Sequence, residues 1–92
     1  YLRWEDHEEH TLSIGFLVRP EEQGKGYATE AARAAIRFAL CELNPYQVVA
    51  TVMPRNVPSV RVIQNAGLVY SHALPEWNRN LYAITNPRRA DE

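Results

Sequence analysis

Thr11-Leu12-Ser13-Ile14-Gly15-Phe16-Leu17-Val18 runs into Arg19-Pro20-Glu21-Glu22-Gln23-Gly24-Lys25-Gly26, and then into Tyr27-Ala28-Thr29-Glu30-Ala31-Ala32. The first segment alternates. Leu12, Ile14, Phe16 and Val18 point one way, Thr11, Ser13 and Gly15 the other, and period two with β-branched and aromatic residues predicts a strand. The second segment, with Pro20 and two glycines, predicts a loop. The third opens a stretch rich in Ala, Leu, Glu and Arg, and Ala28, Ala31, Ala32, Ala35, Ile36, Ala39, Leu40 and Leu43 recur on one face of a helix over 27–43. Asn44-Pro45 stops it.

Working outward, residues 1–4 form a candidate partner strand, separated from the first by the charged run 5–10 (Glu-Asp-His-Glu-Glu-His). That run has carboxylates and imidazoles without metal-ligand spacing, so it predicts a solvated loop and no metal site. Residues 47–53 predict a short buried strand. Asn56 suits a helix N-cap, Pro58 the first turn, and Gly67 the left-handed position past a helix that runs to about Ala66. Residues 68–74 and 80–85 predict two strands joined by a turn over 75–79, and the charged tail from Asn86 is expected to fray. Strand–helix–strand favours a parallel pair with a right-handed crossover, and the closing hairpin makes the sheet mixed. The expected fold is α/β (α+β): one mixed sheet with two helices in a single domain over 1–92.

Composition narrows the function. The chain has 92 residues, 46% apolar and 23% charged, with a net charge of −1. This is ordinary globular composition with no basic field to neutralise nucleic-acid phosphates. No apolar run is long enough to span a membrane, and no segment reads as a signal peptide. Cys41, the single cysteine, has no partner for an internal disulfide, which fits a reducing, cytoplasmic setting. Lying in a predicted helix with no activating neighbour, it is expected to be inert.

A glycine-rich loop between a strand and a helix start is a phosphate site in outline. The helix N-terminus offers unpaired N–H groups and partial positive charge, while Gly24 and Gly26 allow close backbone approach. The dinucleotide fingerprint requires a third glycine where Thr29 stands. The P-loop requires Gly-Lys followed by Ser or Thr, yet Lys25 is followed by Gly26. Neither pattern is met. A glycine-rich turn before a capped helix remains the plain alternative.

Gln23, Gly26 and Ala28 resemble the signature of the GNAT superfamily of N-acetyltransferases: Gln or Arg, two residues, Gly, one residue, then Gly or Ala. A second block, residues 56–68, resembles the family's next conserved helix. The run Gly24-Lys25-Gly26-Tyr27-Ala28-Thr29-Glu30-Ala31 is most similar to the ribosomal-protein N-terminal acetyltransferase branch, which also includes acetylases of small amines. The resemblance covers about residues 12–68. The family's N-terminal strands and helices, which shape much of the acceptor site, are missing, and the opening Tyr1 fits a piece of a longer protein.

The resemblance implies acetyl-CoA as co-substrate and a primary amine as acceptor, either a protein N-terminus or a small molecule. It implies that the backbone of Phe16, Leu17 and Val18 pairs with the pantetheine arm, and that Gln23, Gly24, Lys25, Gly26, Tyr27 and Ala28 present N–H groups to the diphosphate. Asn56 would hydrogen-bond the cofactor, and Ser59 would protonate the leaving thiolate. As residues alone, Asn56 is a helix cap and Ser59 a commonplace first-turn serine. Ile63 stands where some relatives carry an acidic tyrosine, and Thr51 and Ser13 where others carry glutamates. No general base is visible; His72 and Tyr70 on the late strand are the substitutes. The competing readings are an acyl-CoA-binding module or remnant without turnover, and an interaction domain whose open sheet edge pairs with another chain. A truncated sheet also raises the expectation of a homodimer.

Overall fold

The computed structural model describes residues 2–5, 10–15 and 27–89. Strand β1 (Leu2–Trp4) is followed by β2 (Thr11–Ile14), helix α1 (Tyr27–Phe38), β3 (Gln47–Val52), helix α2 (Val57–Asn65), β4 (Val69–Leu74) and β5 (Arg79–Thr85). These five strands form one sheet in the order β1-β2-β3-β5-β4. β1 and β2 are antiparallel, with Leu2 opposite Ile14 and Trp4 opposite Leu12. β2 and β3 are parallel, from Thr11 opposite Gln47 to Ser13 opposite Val49. β5 runs antiparallel to both β3 and β4. The fold is the expected mixed sheet with two helices. The part of the first predicted strand beyond Gly15 lies outside the described residues.

The positions of the helices follow from the strand order. β2 to β3 is one parallel crossover, and β3 to β4 is a second that steps over β5 in the same direction along the sheet. Two right-handed crossovers in one direction place both helices on the same face. Leu12, Ile14, Val48, Ala50, Val52 and Tyr82 point to that face and pack with Ile36 of α1, Ala39 just past its end and Ile63 of α2. The Arg33 Nε donates to the Asn65 carbonyl at 3.0 Å, putting a cation on the negative end of α2. The opposite face carries Thr11, Ser13, Gln47, Val49, Thr51 and Leu81, and no described helix covers it.

Helix ends are set locally. α1 finishes in a π-helical turn (Ala39–Leu43), and Asn44 takes the left-handed conformation at φ 51°, its N–H donating to the Ala39 carbonyl at 3.0 Å. At α2, the Asn56 side chain caps the first turn, and Gly67, at φ 107°, turns the chain into β4. Gly67 therefore stands where its sequence position predicted.

Residues 86–89 correct the expectation of fraying for that part of the tail. Asn86 is 1% exposed. Its Nδ2 donates to the Pro45 carbonyl at 2.8 Å, to Asn44 Oδ1 at 3.1 Å and to the Leu40 carbonyl at 3.3 Å. A short 3₁₀ turn (Pro87–Arg89) follows, and Arg89 Nη1 donates to the Asn44 carbonyl at 2.9 Å. The segment is held because the end of α1 leaves carbonyls that need donors. Asn86→Ala is expected to lower the unfolding free energy by about 2 kcal/mol, since it strands buried acceptors. Urea unfolding of both proteins measures this.

Candidate functional site

The described register of β2 with β3 ends at Ser13 opposite Val49. Past that point Ile14 and Gly15 form one wall and Ala50 to Met53 the other wall of a cavity of about 320 Å³. Opening at the carboxyl ends of parallel strands, it occupies the part of an α/β sheet where ligands are commonly held. The first turn of α2 closes one side. Asn56 Oδ1 accepts from the Ser59 N–H at 3.4 Å, which fixes that turn and uses the backbone of Ser59 rather than its hydroxyl. Ser59 is 7% exposed and lines the cavity together with Asn56 and Ile63.

Of the sequence-predicted site residues, Asn56 and Ser59 are thus brought together at one cavity. Tyr27 and Ala28 form the start of α1, where the glycine loop was expected to hand over to a helix. Tyr27 is exposed. Phe16, Leu17, Val18, Gln23, Gly24, Lys25 and Gly26 lie outside the described residues. The two substitute bases stand apart from this cavity. Tyr70 packs edge-on against Tyr82, with ring centroids 5.8 Å apart, and lines neither this cavity nor the trough described below. His72 lies on the opposite sheet face, its Nδ1 within 2.9 Å of Ser71 Oγ.

Six lining residues were not singled out in the sequence: the strand residues Ile14, Ala50 and Val52, and Gly15, Met53 and Arg79. Gly15 and Met53 lie inside the strands predicted over 11–18 and 47–53, and each stands one residue past the end of the observed strand. Arg79 reaches the cavity only because β5 inserts between β3 and β4, which no local pattern announces. Among the described lining residues, Arg79 carries the one formal charge. Thr51 and Ile63 both line the cavity and offer a hydroxyl and an alkyl group, neither of them a base. The described residues assemble no group of side chains able to hold a metal, and no helix among them is long and apolar enough to cross a membrane.

Residues 1–69 match the profile of the Acetyltransferase (GNAT) domain. The chain belongs to the GNAT acetyltransferase family. It is 37% identical over 84 residues to the uncharacterized N-acetyltransferase YnaD of Bacillus subtilis, a match that covers 83% of this chain and 49% of YnaD. It is 39% identical over 56 residues to the FsC-acetyl coenzyme A-N(2)-transacetylase of Aspergillus fumigatus, covering 61% of this chain and 24% of that protein. The crystal structure of a GNAT-family acetyltransferase from Bacillus anthracis superposes with a TM-score of 0.74 at 32% identity, over 92% of this chain and 55% of that one. The chain therefore spans about half, or less, of the length of the GNAT relatives it matches.

Proposed function

We propose that the protein transfers an acetyl group from acetyl-CoA to a primary amine, a protein N-terminal α-amine or a small-molecule amine. The observation that carries this reading is the cavity beyond the β2–β3 register, with Ser59 and the capped start of α2 in its wall. In this reading the backbone of Phe16, Leu17 and Val18 continues β2 along the pantetheine arm. Gln23 to Ala28 hold the diphosphate at the start of α1. Asn56, whose Oδ1 already serves the α2 cap, keeps its amide nitrogen as a donor to the cofactor.

The neutral amine attacks the thioester carbonyl carbon; a C–N bond forms, the C–S bond breaks, and strand amides stabilise the oxyanion. The amine proton passes to water, and the thiolate takes a proton from Ser59 or water. Among the described residues the cavity holds no base, which favours weakly basic acceptors. An α-amine with pKa near 8 is about one-tenth neutral at pH 7, while a lysine amine near 10.4 is neutral about once in 2,500. The narrower resemblance to the ribosomal-protein N-terminal branch, carried by residues 24–31, agrees with an α-amine. A cytoplasmic GNAT unit, able to pair as a homodimer, completes the proposal.

The second reading is acyl-CoA binding without turnover, favoured by Ile63 and Thr51 standing in the cavity where an acid and a base would serve. Release of CoA from acetyl-CoA in the presence of a panel of primary amines decides between them. Amine-dependent release supports transfer; acetyl-CoA binding with no release for any amine supports the second reading. Ser59→Ala is expected to lower kcat about tenfold, at the weak end of general-acid effects because a thiolate leaves readily, with KM for acetyl-CoA within about twofold. An unchanged kcat would assign the proton to water.

A further inference from the structure

The face of the sheet opposite the helices holds a trough of about 540 Å³. Two residues, Thr51 and Arg79, line both this trough and the cavity that contains Ser59. Their shared position follows from the register. Thr51 opposes Leu81, and Arg79 lies two residues before Leu81 on the same strand, so all three side chains point to the open face. The two concavities therefore meet at the edge where β3 ends. An acceptor reaching Ser59 from the open face passes Arg79.

Among the described residues, the charge there is unbalanced. At the far end of the trough Arg3 and Glu5 pair at 3.4 Å and offset each other. The Arg79 guanidinium forms no hydrogen bond or ion pair among the described residues. A guanidinium is always charged and presents a planar fork of donors suited to a carboxylate. Set at the junction, it repels a polycation and attracts an acceptor with an anionic group.

We propose that Arg79 is a specificity-determining residue which selects acceptors carrying a carboxylate close to the reacting amine. Thr51 beside it offers a hydroxyl to the same ligand. The inference rests on the acetyl-transfer reading for where the amine reacts, but the charge preference is readable without turnover. Trp77 is 70% exposed and lines the trough, so in a Trp4→Phe background its fluorescence reports occupancy directly.

The test uses three amidated dipeptides, Ala-Glu, Ala-Gln and Ala-Lys, which share one kind of α-amine and differ in side-chain charge. Each is titrated against the acetyl-CoA-saturated protein by Trp77 emission, with CoA release followed in parallel. The wild type is expected to prefer Ala-Glu over Ala-Lys about tenfold at low salt, with Ala-Gln between, and to lose part of that preference as salt rises. Arg79→Gln is expected to bring the three within about twofold, and Arg79→Glu to reverse their order, as expected of exposed charge pairs. A flat wild-type series, a preference that Arg79→Gln leaves intact, or no occupancy by any of the three would overturn the proposal. Binding in the predicted order without CoA release would uphold it and sink the transfer reading instead.

Discussion

Gly26→Asp is expected to weaken acetyl-CoA binding about 100-fold while leaving the fold intact. Gly26 directly precedes α1, which begins at Tyr27. An aspartate before a helix is among the favoured capping residues and complements the helix dipole, so the helix itself has no reason to suffer. The same carboxylate would sit beside a diphosphate. Two unit charges 4 Å apart at an effective dielectric of about 20 interact by about 4 kcal/mol, and about two-thirds of that amounts to 100-fold in affinity. Calorimetric titration gives the affinities, and thermal unfolding of both proteins shows that the fold survives. Equal affinities in the two would remove the glycine loop from the site.

Leu12→Ala is expected to lower the unfolding free energy by about 3 kcal/mol, enough to drop the midpoint by about 15 °C in a domain of this size. Leu12 is 1% exposed and is flanked by Trp4 on one side and Val48 on the other. Truncation leaves a cavity in the sheet's helix-covered face, where Ile36, Ala39 and Ile63 already fill the remaining space. Leu43→Ala, on an exposed residue of the π-helical turn, should change stability by less than about 0.5 kcal/mol. Calorimetry on both variants makes the comparison, and a loss below about 1 kcal/mol for Leu12→Ala would mean that the helices do not seal this face.

What was legible in the sequence was local. The alternation of Leu12 and Ile14, the alanine face of α1, the Asn56 cap and the left-handed Gly67 each announce themselves within a few residues. They do so because backbone sterics and side-chain periodicity act over one or two turns. What escaped depends on contacts far apart in the chain. Asn86 looks like a polar tail residue until the end of α1, more than forty residues earlier, presents carbonyls to its amide. The irregularity between Tyr70 and His72 brings both Ser71 and His72 to the open face, and no turn residue marks it. Arg79 reads as part of a turn and acquires its place only when β5 is inserted next to β3.

The site was legible to the same degree. Asn56 and Ser59 were singled out as residues of one helical turn, and that turn forms the wall of the cavity. The glycine loop was read from residue type and spacing, and residues 23–26 lie outside the described residues. Ile63 and Thr51, noted in the sequence for the groups they do not supply, both line the cavity among the described residues.

The central claim is that the thioester lies in the cavity between β2, β3 and the start of α2. The most direct measurement is a ¹⁵N–¹H NMR titration of the folded protein with acetyl-CoA. Saturable shifts of the Gly15, Thr51, Asn56 and Ser59 amides, with little change at Ser71 and His72 on the opposite face, are predicted. A well-dispersed spectrum in which those four amides stay fixed at millimolar acetyl-CoA would contradict the account.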